Sequence, residues 1–178
     1  SSEESIRSAF VTDRNRLVDT ILAPIRDEAE EERSARPWNS YGIAAARLER
    51  YADASRAFRQ ASLYDRDLLS PRINLGSVSF LQGDYRTALN AYQEAERLLR
   101  SRGRDSRSSA LAKVLINLSR THYAMENYED AETYYAQAAE EGPEVVEEFT
   151  YLANVASEGA TGRASDAGGG PEILFVEE

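Results

Sequence analysis

The residues that most often carry out catalysis are sparse in this chain of 178 residues. It contains one histidine, His122, and no cysteine, which excludes thiol nucleophiles, disulfides and zinc–thiolate sites. His122 occupies a helix-packing position, so we interpret it as a structural histidine rather than a general base. No serine lies in a nucleophile elbow, and no glycine loop leads into a Lys-Ser/Thr pair. We therefore predict a protein that is not an enzyme and uses no cofactor.

A cluster of acidic residues near the N terminus is the second candidate for chemistry. Glu28, Glu30, Glu31 and Glu32 are close in sequence, but adjacent acids on a helix point in different directions and no histidine accompanies them. We interpret the cluster as a solvated helix face and predict no metal site.

The formal net charge of −10 is concentrated at the two ends of the chain. Residues 1–36 carry nine acids and six arginines, residues 37–143 carry fourteen charges of each sign, and residues 144–178 carry eight acids and one arginine. Without a dominant basic surface, the chain is not expected to bind nucleic acid. The local exception is the arginine-rich stretch 97–107, which has two interpretations: an extended helix with a solvated loop, or a patch for an anionic partner.

Small and aromatic residues recur in this chain with a fixed period. The pattern of residues 38–61 returns 34 residues later over 72–95, and a third copy follows after 43 residues because nine are inserted. The landmarks are Gly42, Tyr51, Ala54, Phe58 and Ala61 in the first copy, Gly76, Tyr85, Ala88, Tyr92 and Ala95 in the second, and Leu118, Ser119, Tyr128, Ala131, Tyr135, Ala138 and Pro143 in the third.

These repeated positions predict pairs of packed helices. Apolar residues over 84–99 fall at steps of three and four, which is the stripe of an amphipathic helix. The small residues are expected where two helices approach closely, and Phe58, Tyr92, Tyr128 and Tyr135 are expected to fill the space between them. Stacked copies bury apolar faces that one copy cannot bury alone.

The 34-residue period and its landmarks resemble the tetratricopeptide repeat, and the best-matching stretch is Asn74-Leu75-Gly76 followed by Gly83-Asp84-Tyr85. The resemblance implies an all-α fold, an α–α superhelix (a tetratricopeptide solenoid) of antiparallel helix pairs. It also implies a non-enzymatic scaffold or adaptor, in which the first helix of each pair lines a concave groove that binds a protein or peptide partner.

The expected organisation follows the repeats. Pro24 either ends a first helix over 3–22 or begins a second one over 25–35. The predicted parts are N-terminal capping helices over 1–36, three repeat units over 37–68, 71–100 and 112–143, an arginine-rich insertion over 101–109, a C-terminal capping helix over 144–158, and a flexible glycine-rich linker with an apolar-acidic tail over 159–178.

The family alignment implies a set of residues that line the groove. They are Arg36, Asn39, Ile43, Arg47, Asn74, Ser77, Phe80, Lys113, Asn117, Arg120 and Tyr123. The carboxylate-clamp subclass of the family grips the acidic C terminus of chaperones, and only Asn74 and Lys113 match its residues. Amides and arginines in this set predict a different ligand, an acidic-hydrophobic peptide.

The C-terminal tail is a candidate docking segment. Ile173, Leu174, Phe175 and Val176 form an apolar run at the end of a flexible tether and have no core of their own. The run is expected to fold back on the repeats, to dock into a neighbouring copy, to be presented to another protein, or to be a disordered end. An alternative function is therefore a self-assembling structural or transporter-associated subunit, a homo-oligomer whose tails or caps bridge copies.

Features of composition bear on the compartment. The longest apolar runs are far shorter than the roughly 20 residues that cross a bilayer. The chain begins at Ser1 without methionine, so we expect an upstream segment that was cleaved or left out, and a secretory or lipoprotein signal is one candidate for it. The absence of cysteine and the preference for arginine over lysine favour a bacterial periplasmic protein, and they also fit a cytoplasmic protein from a GC-rich genome.

Overall fold

The computed structural model describes residues 2–103, 108–150 and 175–177. These residues form helices joined by short connections and no strand, so the predicted all-α fold is confirmed. The helices are α1 (Ser2–Glu32), α2 (Ala35–Arg47), α3 (Tyr51–Tyr64), α4 (Ser70–Leu81), α5 (Tyr85–Ser101), α6 (Ser108–Ala124) and α7 (Tyr128–Glu141), followed by α8 over 143–150.

The chain divides into two compact units. The first contains residues 1–71 together with 177–178, and the second contains residues 72–176. The first unit therefore holds α1 to α3 and the first two residues of α4. The second unit holds the rest of α4, the helices α5 to α8 and Val176.

In the first unit, α2 and α3 form a helix pair whose close approach depends on Gly42. A Cβ atom at this position would lie 2.5 Å from the ring of Phe58, which is fully buried. Any larger residue would overlap the ring, because real Cβ contacts are essentially never this short. The prediction that a small residue faces a large one across this pair is confirmed.

The same arrangement recurs in the second unit between α4 and α5, where a Cβ atom added at Gly76 would lie 2.6 Å from the ring of Tyr92. The third copy differs. Ser119 stands at the glycine position, and its hydroxyl donates a hydrogen bond to the Ala131 carbonyl of α7 at 2.7 Å. Tyr135, the counterpart of Tyr92, is 40% exposed, because a side chain already occupies the space that the ring fills in the other copies. Tyr128 stands at a different position of the repeat, at the start of α7, and is 56% exposed. The prediction that these two tyrosines fill the helix interface is wrong.

The turn inside each helix pair uses one left-handed residue at an equivalent position. The backbone φ is +61° at Glu49, +76° at Gly83 and +62° at Glu126. Only the second copy has the glycine that adopts this conformation without strain. In the third turn Glu126 carries the positive angle, whereas the φ of the following Asn127 is −88°.

The nine inserted residues between the second and third copies lengthen two helices. By comparison with α3 and α4, α5 is three residues longer at its end and α6 begins five residues earlier. The ninth inserted residue lies in the connection between α5 and α6, which is one residue longer than the connection between α3 and α4. Arg100 of this stretch donates to Glu96 on its own helix at 2.8 Å, whereas Arg104 and Arg107 lie outside the described residues.

Helix α1 continues through Pro24, so the expectation that this proline ends one helix or begins another is wrong. Its buried residues Val18, Leu22 and Ala29 lie on both sides of the proline along one face. Packing on both sides of Pro24 holds the helix together, although proline has no N–H with which to form the helical hydrogen bond. In the N-terminal half, Ile6, Phe10 and other apolar residues are exposed. No helix in the described part of the chain is long and apolar enough to cross a membrane.

Pro24→Ala is expected to raise the free energy of unfolding by about 1–3 kcal/mol, because proline in a helix interior costs about 3 kcal/mol relative to alanine. Urea unfolding followed by circular dichroism measures the change. Pro37→Ala is the control, since Pro37 lies in the first turn of α2, where a missing N–H breaks no helical hydrogen bond. An unchanged or lower stability of Pro24→Ala would contradict this account of α1.

Candidate peptide-binding site

Residues of the predicted groove in the first unit differ in exposure. Arg36 and Arg47 are exposed at the two ends of α2, and Asn39 is buried. Ile43 is 1% exposed and packs in the core of this unit. Its assignment to the groove lining stays a prediction.

In the second unit, Ser77 is also a packing residue. Its hydroxyl donates to the carbonyl of Ile73 one turn earlier at 3.1 Å and lies 3.0 Å from the hydroxyl of Tyr92 on α5. The side chain is fully buried. Ser77 therefore joins α4 to α5, and its predicted contact with a partner stays a prediction.

The side chain of Asn74 pairs with the backbone of Val176. The Val176 N–H donates to Asn74 Oδ1 at 2.7 Å, and Asn74 Nδ2 donates to the Val176 carbonyl at 2.8 Å. The two residues are 102 positions apart in sequence and belong to the same unit. Both were predicted site residues, one for the groove and one for the tail.

This pairing selects a particular backbone conformation. The N–H and the carbonyl of one residue point to the same side only in an extended chain, where they form the ladder of a β-sheet. The Asn74 amide, with one donor and one acceptor, takes the place of a neighbouring strand. Because only main-chain atoms are bound, the contact recognises an extended segment and is independent of side-chain identity.

Arg120 of α6 lies between two aromatic rings. Its guanidinium carbon is 5.4 Å from the ring centroid of Phe80 on α4 and 5.6 Å from that of Phe149 on α8. Both distances are within the range of cation–π attraction. The side chain is half-buried, and this burial lowers the pKa of Arg120 because a charge is less stable away from water. Three helices of the second unit thus meet at one cation.

The other predicted site residues of α6 have more ordinary surroundings. Lys113 is exposed, Asn117 is half-buried, and Tyr123 is 66% exposed with its ring 5.3 Å from that of Tyr128. In the tail, Phe175 and Val176 are half-buried, whereas Ile173 and Leu174 lie outside the described residues.

His122 is buried and stacks on Tyr134 at 5.2 Å between ring centroids. Its Nδ1 is 3.6 Å from Asp130 Oδ2, too far for a hydrogen bond. Stacking of this kind agrees with a packing role for the imidazole. Within the described ranges, no three acidic or histidine side chains converge in a way that could hold a metal ion.

Sequence reasoning missed the pairing of Arg120 with Phe149. The sequence placed Phe149 only within the predicted C-terminal capping helix over 144–158, and the two residues are 29 positions apart. Nothing in the local pattern of either helix indicates the other, because the contact depends on where α8 lies against α6 and α4.

Comparison with known proteins finds a family match for part of the chain. The model of the tetratricopeptide repeat family matches residues 67–140, which span α4 to α7 apart from the last residue of α7. A search of the curated proteins finds no match to the chain. Repeats of this family generally mediate protein–protein interactions and are typically non-enzymatic. The repeated landmarks and the paired helices agree with this match, and residues 67–140 are assigned to the tetratricopeptide repeat family.

Proposed function

We propose that this protein is a non-enzymatic adaptor that binds an extended segment of a protein partner at Asn74. The observation that carries the proposal is the pair of hydrogen bonds between Asn74 and the backbone of Val176. An amide that can hold one extended segment in this way can hold the main chain of another, since the bonded atoms are common to all residues except proline.

Residues around Asn74 supply the side-chain contacts of the proposed site. Phe80 and Arg120 are in contact and belong to α4 and α6, so they join the two helices that carry the proposed site in the second unit. Lys113, Asn117 and Tyr123 of α6 complete it. Arg36, Asn39 and Arg47 belong to the first unit, and their role in partner binding stays a prediction. The partner suited to amides, apolar rings and cations is an acidic-hydrophobic peptide.

Binding of a peptide with the sequence of residues 171–178 tests the proposal. The protein used in this test is the full-length chain with the substitution Val176→Pro, which removes the N–H that its own tail donates to Asn74. Fluorescence anisotropy of the labelled peptide is expected to show saturable binding. Asn74→Leu in the same chain is expected to weaken binding about tenfold or more, because two hydrogen bonds of about 1 kcal/mol each are lost.

Leucine has nearly the shape of asparagine, so Asn74→Leu removes the polar atoms with little change in packing. The matched control is Asn90→Leu on α5, where the asparagine is exposed, and its binding is expected to equal that of the parent chain. If the peptide does not bind the Val176→Pro chain, or binds equally well after Asn74→Leu, the proposed site is wrong.

A second candidate function rests on the same hydrogen bonds, formed between two copies of the chain instead of within one. In this self-assembling subunit, the tail of one chain pairs with Asn74 of the next, and the adaptor and assembly functions then share one site. It predicts a particle larger than the 19.8 kDa of one chain, whose mass falls when Val176→Pro removes the shared hydrogen bond.

A further inference from the structure

We propose that Arg120 makes the Asn74 site selective for acidic segments, by pairing through the edge of its guanidinium with a carboxylate of the bound peptide. This inference rests on the proposed function, and it adds the chemical class of the ligand and the residue that distinguishes it.

The surroundings of Arg120 leave the correct atoms available. Phe80 and Phe149 approach the guanidinium carbon at 5.4 and 5.6 Å and attract the cation through their ring faces. The N–H donors of arginine lie in the plane of the guanidinium and form a fork that matches the two oxygens of a carboxylate. Aromatic rings supply no carboxylate oxygen, so two aromatic neighbours leave the N–H donors of Arg120 able to bind the carboxylate of a ligand.

Arg120 also differs from other arginines of the chain in its partners. Arg14 pairs with Glu49 at 2.7 Å, Arg100 pairs with Glu96 at 2.8 Å, and Arg50 pairs with Asp19. Arg120, although half-buried, forms no ion pair with a carboxylate anywhere in residues 2–103, 108–150 and 175–177. A cation that has lost part of its hydration gains more from a carboxylate than an exposed one does, since the interaction is stronger at low dielectric.

Arg120 contacts the helix that carries Asn74. Its aromatic neighbour Phe80 lies on α4 six residues after Asn74, which is about 9 Å along the helix axis. An extended peptide advances about 3.3 Å per residue. The acidic residue whose carboxylate reaches Arg120 is therefore expected a few residues along the peptide from the residue whose backbone pairs with Asn74.

The segment that pairs with Asn74 has this composition. Val176 is followed by Glu177 and Glu178, and Glu172 precedes the apolar run. An acidic residue close to an apolar one is the combination that a cation flanked by two aromatic rings recognises best, because the carboxylate meets the guanidinium edge while apolar atoms contact the rings.

The test compares two labelled peptides on the full-length Val176→Pro chain. One has the sequence of residues 171–178, and the other has glutamine in place of all three glutamates; both are amidated at the C terminus. The acidic peptide is expected to bind about tenfold or more tightly, and the preference is expected to shrink as salt is added. Arg120→Gln is expected to reduce the affinity for the acidic peptide to the affinity for the neutral one. Arg120→Lys is expected to leave an intermediate preference for the acidic peptide.

The control is Arg86→Gln, which removes an exposed arginine of α5 and is expected to leave the preference unchanged. Equal binding of the two peptides by the chain with Arg120 intact would overturn the inference without relying on any variant at this position. A loss of affinity for both peptides to the same extent in Arg120→Gln would also overturn it, since that is the result of a purely structural arginine. Failure of the proposed function is distinct, because neither peptide would then respond to Asn74→Leu.

Discussion

Gly76→Ala is expected to lower the free energy of unfolding by about 1–3 kcal/mol, the range of overpacked cores. The added Cβ would lie 2.6 Å from Cε1 and 2.7 Å from Cδ1 of Tyr92. Tyr92 is fully buried and its hydroxyl contacts Ser77, so the ring has little freedom to move aside. Helix propensity alone predicts the opposite sign, since alanine is the better helix former. Urea unfolding measures the difference.

A double-mutant cycle with Tyr92→Leu shows whether the ring causes this loss. Tyr92→Leu alone is expected to destabilise the protein, because it removes buried apolar area and the contact with Ser77. In that background Gly76→Ala is expected to cost much less, since the overlapping ring atoms are gone. Gly103→Ala is the matched control, because a Cβ at Gly103 meets no atom within 4 Å. The same cost of Gly76→Ala in both backgrounds would contradict the packing explanation.

Val176→Pro is expected to raise the affinity of the full-length chain for the peptide of residues 171–178 about tenfold or more. In the parent chain the tail is tethered and already bonded to Asn74, and tethering gives an effective concentration of the order of 1 mM. The free peptide must displace it. Proline removes the N–H donated to Asn74 Oδ1 and leaves Asn74 itself unchanged. Anisotropy titrations of the two chains give the ratio of affinities.

The control for this substitution is Glu172→Pro, which adds a proline to the same tail but keeps the Val176 N–H, and which is expected to leave the parent affinity unchanged. Equal affinities of the parent and Val176→Pro chains would show that the tail does not compete for the site. Sedimentation of both chains distinguishes the two candidate functions. If both proteins sediment with the mass of one chain, the tail pairs with Asn74 of its own chain. A larger mass of the parent chain that falls in Val176→Pro supports self-assembly.

The family and the helix pairs were predictable because their signals are local and repeated. Gly42 and Gly76 are in register with Phe58 and Tyr92, and each pair meets within one helical hairpin. The third copy shows where the pattern misleads. Ser119 occupies the glycine position with a side chain of its own, and Tyr135 is displaced to the surface. At Pro24 the sequence predicted a helix boundary that does not exist, because tertiary packing of α1 outweighs the local helix-breaking preference of proline.

The candidate site was predictable in part. Asn74 came from the resemblance to a family, and the apolar tail came from composition. The sequence indicated a tail suited to a groove, but it did not indicate which atoms would meet. Ile43 and Ser77 were assigned to the same surface by alignment, and both are buried, as Asn74 is, so the alignment alone did not indicate what covers each residue.

The sequence by itself determined the helical repeat, because periodic small, aromatic and apolar residues encode helix pairs through contacts between neighbours in the chain. Only the tertiary structure decided which side chains converge. The backbone of Val176 meets Asn74 from 102 residues away, and Arg120 lies between rings of α4 and α8. Such contacts leave no periodic signal, since each is made once and depends on how helices and tail are arranged in space.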